Sequence, residues 1–148
     1  MKKIYWFLLL TLPLTSCSNN NIFTSISDIN NNISIKHNYS EISEYKIKWK
    51  DVFFVAKPEY FVYFYSVSCS HCNEIKNAII EYALNNQNIY FCENSKDVII
   101  SEDISNTIGI SDVSKLSILG FPTLVEIKNS KLVDNIAGID KIKSELNL

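Results

Sequence analysis

The chain has 148 residues, enough for one packed domain and too few for two comfortable cores. Nearly half of them, 47%, are hydrophobic, which excludes a chain too polar to fold. The formal net charge of −2 argues against nucleic acid as a partner, and with 14 lysines and no arginine no mechanism can use a bidentate guanidinium.

At the amino terminus, Lys2 and Lys3 precede an apolar stretch over residues 4–12, of signal-peptide length and short for a membrane span. Pro13 ends it, and Leu14-Thr15-Ser16-Cys17 follows. This order resembles the lipobox of bacterial lipoproteins, in which the cysteine is acylated and becomes the new amino terminus. The resemblance implies a lipoprotein-type signal peptide at 1–16 and lipidation at Cys17. It also implies a lipid-anchored, extracytoplasmic place in a bacterial cell envelope, where several acyl chains would hold firmly. An ordinary signal peptide, or an uncleaved anchor, with a chance cysteine is the alternative. Residues 17–39 are rich in Asn and Ser, a composition that suits a tether. Within it Ile22, Phe23, Ile26, Ile29 and Ile33 could form a short amphipathic segment, and His37 reads as a solvated side chain.

The folded domain is expected over 40–148. Ile42, Tyr45, Trp49, Val52, Phe53 and Ala56 fall near helical spacing and predict a helix over 40–57, stopped before Pro58, with a strand over 52–55 as the competing reading. Phe61 to Tyr65 is an apolar and aromatic run, the composition of a strand buried on both faces. A polar turn at 66–68 then delivers Cys69 and Cys72, separated by Ser70 and His71. Beyond them Ile75, Ala78, Ile79, Tyr82 and Ala83 lie on one face of a helix over 73–85. The Cys-x-x-Cys pair therefore stands where a helix begins. Unpaired amides and the positive end of the macrodipole favour an anion there, so Cys69 is expected to ionise more readily than an ordinary cysteine.

Residues 88–92 read as a second short buried strand ending at Cys92, itself expected to be a core residue. The stretch 93–110 is ambiguous. Residues 111–119 predict a helix ending at Gly120, followed by Gly120-Phe121-Pro122-Thr123. A strand over 124–127, a tight turn over 128–131 and a hairpin partner over 132–136 come next, and after Gly138 Asp140 can cap a last helix containing Ile142 and Leu146.

Cys-Ser-His-Cys at a strand-to-helix junction, Gly-Phe-Pro-Thr later in the chain, and the strand-turn-strand-Gly-helix ending together resemble the thioredoxin-like family. The resemblance covers roughly residues 40–148. It implies an α/β fold with a central mixed sheet of about four strands flanked by helices, and a cis Phe121–Pro122 bond lying against the cysteines. It also implies thiol–disulfide exchange on protein substrates together with a redox partner protein. No cofactor is implied beyond the redox-active Cys69–Cys72 disulfide. Cys69 would attack and Cys72 resolve, Ser70 and His71 would tune the couple, and Phe121 and Pro122 would form the floor under a substrate's extended backbone. Cys-x-His-Cys is similar to the motif of periplasmic disulfide oxidases, with Ser70 in place of their proline, which points toward an oxidase or isomerase. Ser68 stands where cytosolic thioredoxins carry a tryptophan, and Tyr63 where they carry a buried aspartate, so a house-keeping reductase fits less well. The alternatives are a Cu or Zn module using Cys69, Cys72 and His71, which lacks a second ligand pair, and a non-catalytic accessory protein of the same fold.

Overall fold

The computed structural model describes residues 36–148. The signal peptide at 1–16, the lipidation site Cys17 and nearly all of the expected tether lie outside the described residues.

Apolar side chains on alternate sides of a single strand explain the architecture. That strand, β1 (Glu59–Tyr65), occupies the interior of a four-stranded sheet of order β2-β1-β3-β4. Along it, β2 (Ile89–Glu93) runs parallel on one side and β3 (Thr123–Lys128) antiparallel on the other. The fourth strand, β4 (Lys131–Ala137), pairs antiparallel with β3 through a two-residue turn in which Asn129 and Ser130 both have positive φ, the geometry tight hairpins favour. Tyr63 and Tyr65 point to one face of β1, and Tyr60, Val62 and Phe64 to the other.

The Tyr63 face is covered by helices. The long helix α1 (Ser70–Asn86) buries Cys72, Ile75, Ile79, Ile80 and Ala83, and the short α2 (Ile139–Leu146) adds Ile142 and Leu146. Each fully buried aliphatic side chain contributes roughly 1.5–3 kcal/mol relative to exposure. Aromatic rings fill the layer between: Tyr63 and Tyr65 stack at 6.2 Å, and Phe91 meets both edge-on.

The opposite face is covered without a helix, and here two expectations fail. The helix expected over 40–57 is replaced by two short 3-10 turns, Ser43–Tyr45 and Trp49–Asp51, and residues 52–55 form no strand. Much of the burial the periodicity implied is nevertheless present: Trp49, Val52 and Phe53 are buried on this face and Ile42 on the other, while Tyr45 is half-buried and Ala56 is exposed. What breaks the helix is a competing partner: Lys46 bridges to Phe91 and the Ile47 amide donates to the Phe91 carbonyl at 2.9 Å. Those two residues extend the sheet edge and cannot also be helical.

Residues 111–119 likewise form only one 3-10 turn, Val113–Lys115, capped by the Asp112 side chain. Leu116 is extended, Ile118 exchanges backbone hydrogen bonds with Ile99 and Ser101, and both Leu116 and Ile118 are fully buried. The element order is therefore β1-α1-β2-β3-β4-α2, with neither the initial helix nor the helix before β3. In α2 the N-cap is Gly138, at φ 95°, and Asp140 sits in the first turn instead of capping it.

The packed domain includes residues assigned to the tether. Tyr39 is buried and stacks on Tyr65 with ring centroids 4.1 Å apart. His37 pairs with Glu41 at 2.9 Å, and its backbone amide donates to the Asn77 side chain of α1.

Candidate active site

The site is assembled by the two segments that follow and precede central strands. After β1 the chain turns through Ser66 to Ser68, where the two hydroxyls lie 3.0 Å apart and the Ser66 carbonyl accepts from the Cys69 amide at 3.1 Å. Cys69 is the N-cap of α1 and is partly exposed; Cys72, one turn further on, is fully buried. Capping is done by sulfur: the Cys72 amide donates to Cys69 Sγ at 3.3 Å, which satisfies one of the amides a helix start leaves free. The same sulfur donates to the Phe121 carbonyl at 3.4 Å.

That contact ties α1 to the turn before β3. The Phe121–Pro122 peptide bond is cis, as the family resemblance implied. Thr123 Oγ1 donates to the Gly120 carbonyl at 2.8 Å, and the Gly138 amide to the Pro122 carbonyl at 3.2 Å, so the turn is pinned from both sides. Beside it opens a groove of about 430 Å³ whose walls include His71, Glu74, Leu119, Phe121, Pro122 and Asp140. Phe121 is half-buried and Pro122 buried, and both line the groove, as does the exposed Leu119; Val67, in the turn before Cys69, is also exposed. Ser70 and His71, in the first turn of α1, are exposed.

The two thiols live in different surroundings. Burial pushes the Cys72 thiol up, with its hydrogen-bond relation to Cys69 adding to the shift. Cys92 is also buried, and there burial first and the negative Asp51 second push the thiol up to about 12. It belongs to the cluster on the other face of the sheet from Cys72, apart from the pair. Among the described residues no group of three or more His, Cys, Asp or Glu side chains converges as a metal site would require. The features the sequence did not single out are the Glu74 carboxylate on the groove, the place of Asp140 there (expected only as a helix cap), and the Tyr39 hydroxyl. Glu74 and Asp140 lie far apart in sequence; Tyr39 sits between Asn38 and Ser40 with no periodic signal around it.

The sheet order, a Cys-x-x-Cys pair at the tip of the first long helix and a cis proline opening the antiparallel strand define a thioredoxin-like α/β fold. No protein-family model matches the sequence, and no curated protein matches it either. Solved structures of similar fold include mitochondrial thioredoxin 3 from Saccharomyces cerevisiae in its oxidised form, at 15% identity and a TM-score of 0.43, spanning 69% of this chain and 90% of that one. Oxidised thioredoxin O2 from Arabidopsis thaliana gives 18% identity and a TM-score of 0.45 over 74% and 93% of the two chains. Oxidised thioredoxin O1 from the same plant gives 21% and 0.44 over 68% and 91%.

Proposed function

We propose that the protein is a membrane-tethered, extracytoplasmic thiol–disulfide oxidoreductase, anchored through lipid on Cys17 and acting on protein thiols and disulfides through Cys69 and Cys72. The observation that carries the reading is the double contact of Cys69 Sγ, which faces the Cys72 amide at 3.3 Å and the Phe121 carbonyl at 3.4 Å at the edge of an open groove. An accessible sulfur sits there against a backbone along which an extended peptide can lie, with a second thiol one helical turn behind it.

In the exchange, Cys69 thiolate attacks a substrate disulfide, one substrate sulfur departs as thiolate, and a mixed disulfide forms. Cys72 then attacks Cys69 Sγ; the bond to the substrate breaks, and the substrate leaves as a thiol while Cys69 and Cys72 close their own disulfide. Run backwards, the same steps oxidise a substrate dithiol. A redox partner protein resets the pair. The direction we assign is oxidase- or isomerase-like: His71 precedes the resolving cysteine as in periplasmic oxidases, and the central strand carries Tyr63 instead of a carboxylate. Ser70 and His71 are the tuning positions, and Phe121 and Pro122 the substrate floor.

The test is catalysis of disulfide exchange on a reduced or scrambled protein. Activity abolished by Cys69→Ser is expected; wild-type protein that leaves the test substrate at its uncatalysed rate overturns the reading. A reduction potential for the couple nearer roughly −120 mV than roughly −270 mV fits the oxidising direction.

A further inference from the structure

The groove beside Cys69 continues into a second hollow, of about 400 Å³, lined by β4 and α2; the two share Leu119 and Ala137 as a common wall. Leu119 is exposed, so the ridge between the hollows is apolar and open to solvent. Charge is spread unevenly over this surface. Glu74 and Asp140 line the near hollow and no lysine does; Asp134 and Glu145 line the far one, with Lys141 as its single cation. All five residues are exposed, and among the described residues none takes part in an ion pair within 4.0 Å; Asp134 accepts from the Asn135 amide at 2.7 Å. The full chain has a formal net charge of only −2, so four carboxylates against one ammonium is a local concentration and not the average. Two helix starts oppose it, since α1 and α2 both begin beside the near hollow and each contributes about half a positive charge. Two full carboxylate charges outweigh them, because α2 has only 8 residues and the Cys69 sulfur already takes one α1 amide.

We infer that the segment this groove receives is basic: an extended stretch of a protein partner with lysine or arginine on one side of its reactive cysteine, one such side chain in each hollow; this rests on the proposed exchange function. In extended chain, alternate side chains project to the same side roughly 6.5 Å apart, so residues two apart reach neighbouring hollows across the Leu119 ridge. The alkyl stems of lysine and arginine lie on the apolar wall of Leu119, Phe121 and Ile139, and the charged heads meet the carboxylates. The exchange step itself is as written above. The carboxylates act on how the segment is seated before Cys69 attacks its sulfur.

The experiment uses the reduced full chain, in a Cys17→Ser background and in excess over blocked peptides whose cysteine is a mixed disulfide with neutral 2-thiopyridine. Cys69 joins the peptide sulfur, the peptide–thiopyridine S–S bond breaks, and the departing thiolate takes up a proton as the absorbing thione. One peptide carries lysine two and four residues after the cysteine and another carries it two and four before; glutamate and serine fill the same positions in the controls. At low ionic strength one of the two lysine peptides is expected to react about tenfold faster than its serine control and the other within about twofold of its own, the scale of two exposed charge contacts against a diffuse field. The glutamate peptides are expected to be slower than the serine ones. Glu74→Gln with Asp140→Asn, and separately Asp134→Asn with Glu145→Gln, are each expected to shrink the lysine-to-serine ratio, which is taken within one variant so that a general loss of activity cancels. Asp140→Lys is expected to bring the glutamate peptide level with or ahead of the lysine one, a reversal that a damaged fold cannot produce. Equal acceleration of both lysine orders overturns the inference, because a seated segment has a direction and a diffuse field has none. Serine peptides as fast as the lysine ones overturn it too. If no peptide reacts faster with wild type than with Cys69→Ser, the exchange function itself fails.

Discussion

The backbone amide of Cys72 donates to the sulfur of Cys69 at 3.3 Å, so the two cysteines are linked through the helix cap itself. The sulfur that caps α1 is partly exposed and contacts the Phe121 carbonyl, whose residue lines the groove, while the sulfur behind it is fully buried. Under the proposed exchange, this difference in exposure gives attack to Cys69 and resolution to Cys72. Cys69→Ser is expected to reduce exchange to the uncatalysed rate. Cys72→Ser is expected to accumulate a mixed disulfide between Cys69 and substrate, its lifetime lengthened on the order of a hundredfold because an external thiol must then do an intramolecular job. Mass spectrometry of the unreduced protein distinguishes the two variants; a covalent adduct in the Cys69→Ser protein would reverse the assignment.

Two buried thiols with raised pKa values make the reduced protein sensitive to alkali. Cys72 and Cys92 stay protonated in the fold at pH values where the unfolded chain has begun to lose those protons. The unfolded state then binds fewer protons than the native one, so unfolding free energy falls as pH rises. The stabilisation is complete below the ordinary thiol range and, for Cys92, is lost progressively from there to about 12. Each thiol contributes a slope approaching about 1.4 kcal/mol per pH unit within that window. Urea unfolding of the reduced protein at pH 8 and pH 10 should show the loss. Cys92→Ala should remove about half of the thiol contribution, closing the Cys69–Cys72 disulfide should remove that of Cys72, and the buried tyrosines Tyr39, Tyr60, Tyr63 and Tyr65, also raised by burial, leave a residual fall near pH 10. A flat profile in the reduced wild type would contradict the burial of both thiols.

What could be read from the sequence was the part in which local pattern and tertiary structure agree. The run from Phe61 to Tyr65, the apolar face of α1 and the hairpin around Asn129 and Ser130 each carry a side-chain pattern that matches the backbone they adopt, although Phe61 to Tyr65 finds its partners in β2 and β3. The site followed, because Cys69 sits at the junction of two such elements and Pro122 at the start of a third. The failures share one cause. Residues 40–57 and 111–119 carry apolar residues at spacings that suit a helix, but their backbones pair with Phe91 and with Ile99 to Ser101. A long-range backbone partner leaves no local trace. In the second case the alternation Leu116, Ser117, Ile118 was the available sign of extended chain.

Tyr39 lies at the expected end of the tether, yet the fold treats it as core. Its ring stacks on Tyr65 at 4.1 Å and meets Phe91 edge-on at 6.5 Å. Tyr39→Ala is therefore expected to cost about 3–5 kcal/mol of unfolding free energy, the scale of an aromatic removed from a core. Tyr39→Phe should cost far less, or stabilise, because the hydroxyl it deletes has no partner. Denaturant melts of the two variants decide the point. A Tyr39→Ala loss within about 0.5 kcal/mol would return the residue to the tether.

Glu74 and Asp140 give the groove a charge that can be read kinetically. Both carboxylates are exposed, one on the second turn of α1 and the other at the start of α2, and both line the groove beside Phe121 and Pro122. No ion pair among the described residues within 4.0 Å engages either one. A small dianionic disulfide approaching Cys69 must enter this field, and a dicationic one is drawn in by it. Neutralising both with Glu74→Gln and Asp140→Asn is expected to speed the dianionic reagent roughly 2–5-fold at low ionic strength and to slow the dicationic one by a similar factor, the modest size that exposed charges produce. With a neutral reagent the rate should not change. Because the Debye length shrinks from about 30 Å at 0.01 M salt to about 3 Å at 1 M, both effects should collapse as salt is added. Stopped-flow rates for the three reagents across that salt range separate a through-space field from a change in groove shape. A shape change would alter the neutral reagent as well and would survive at high salt.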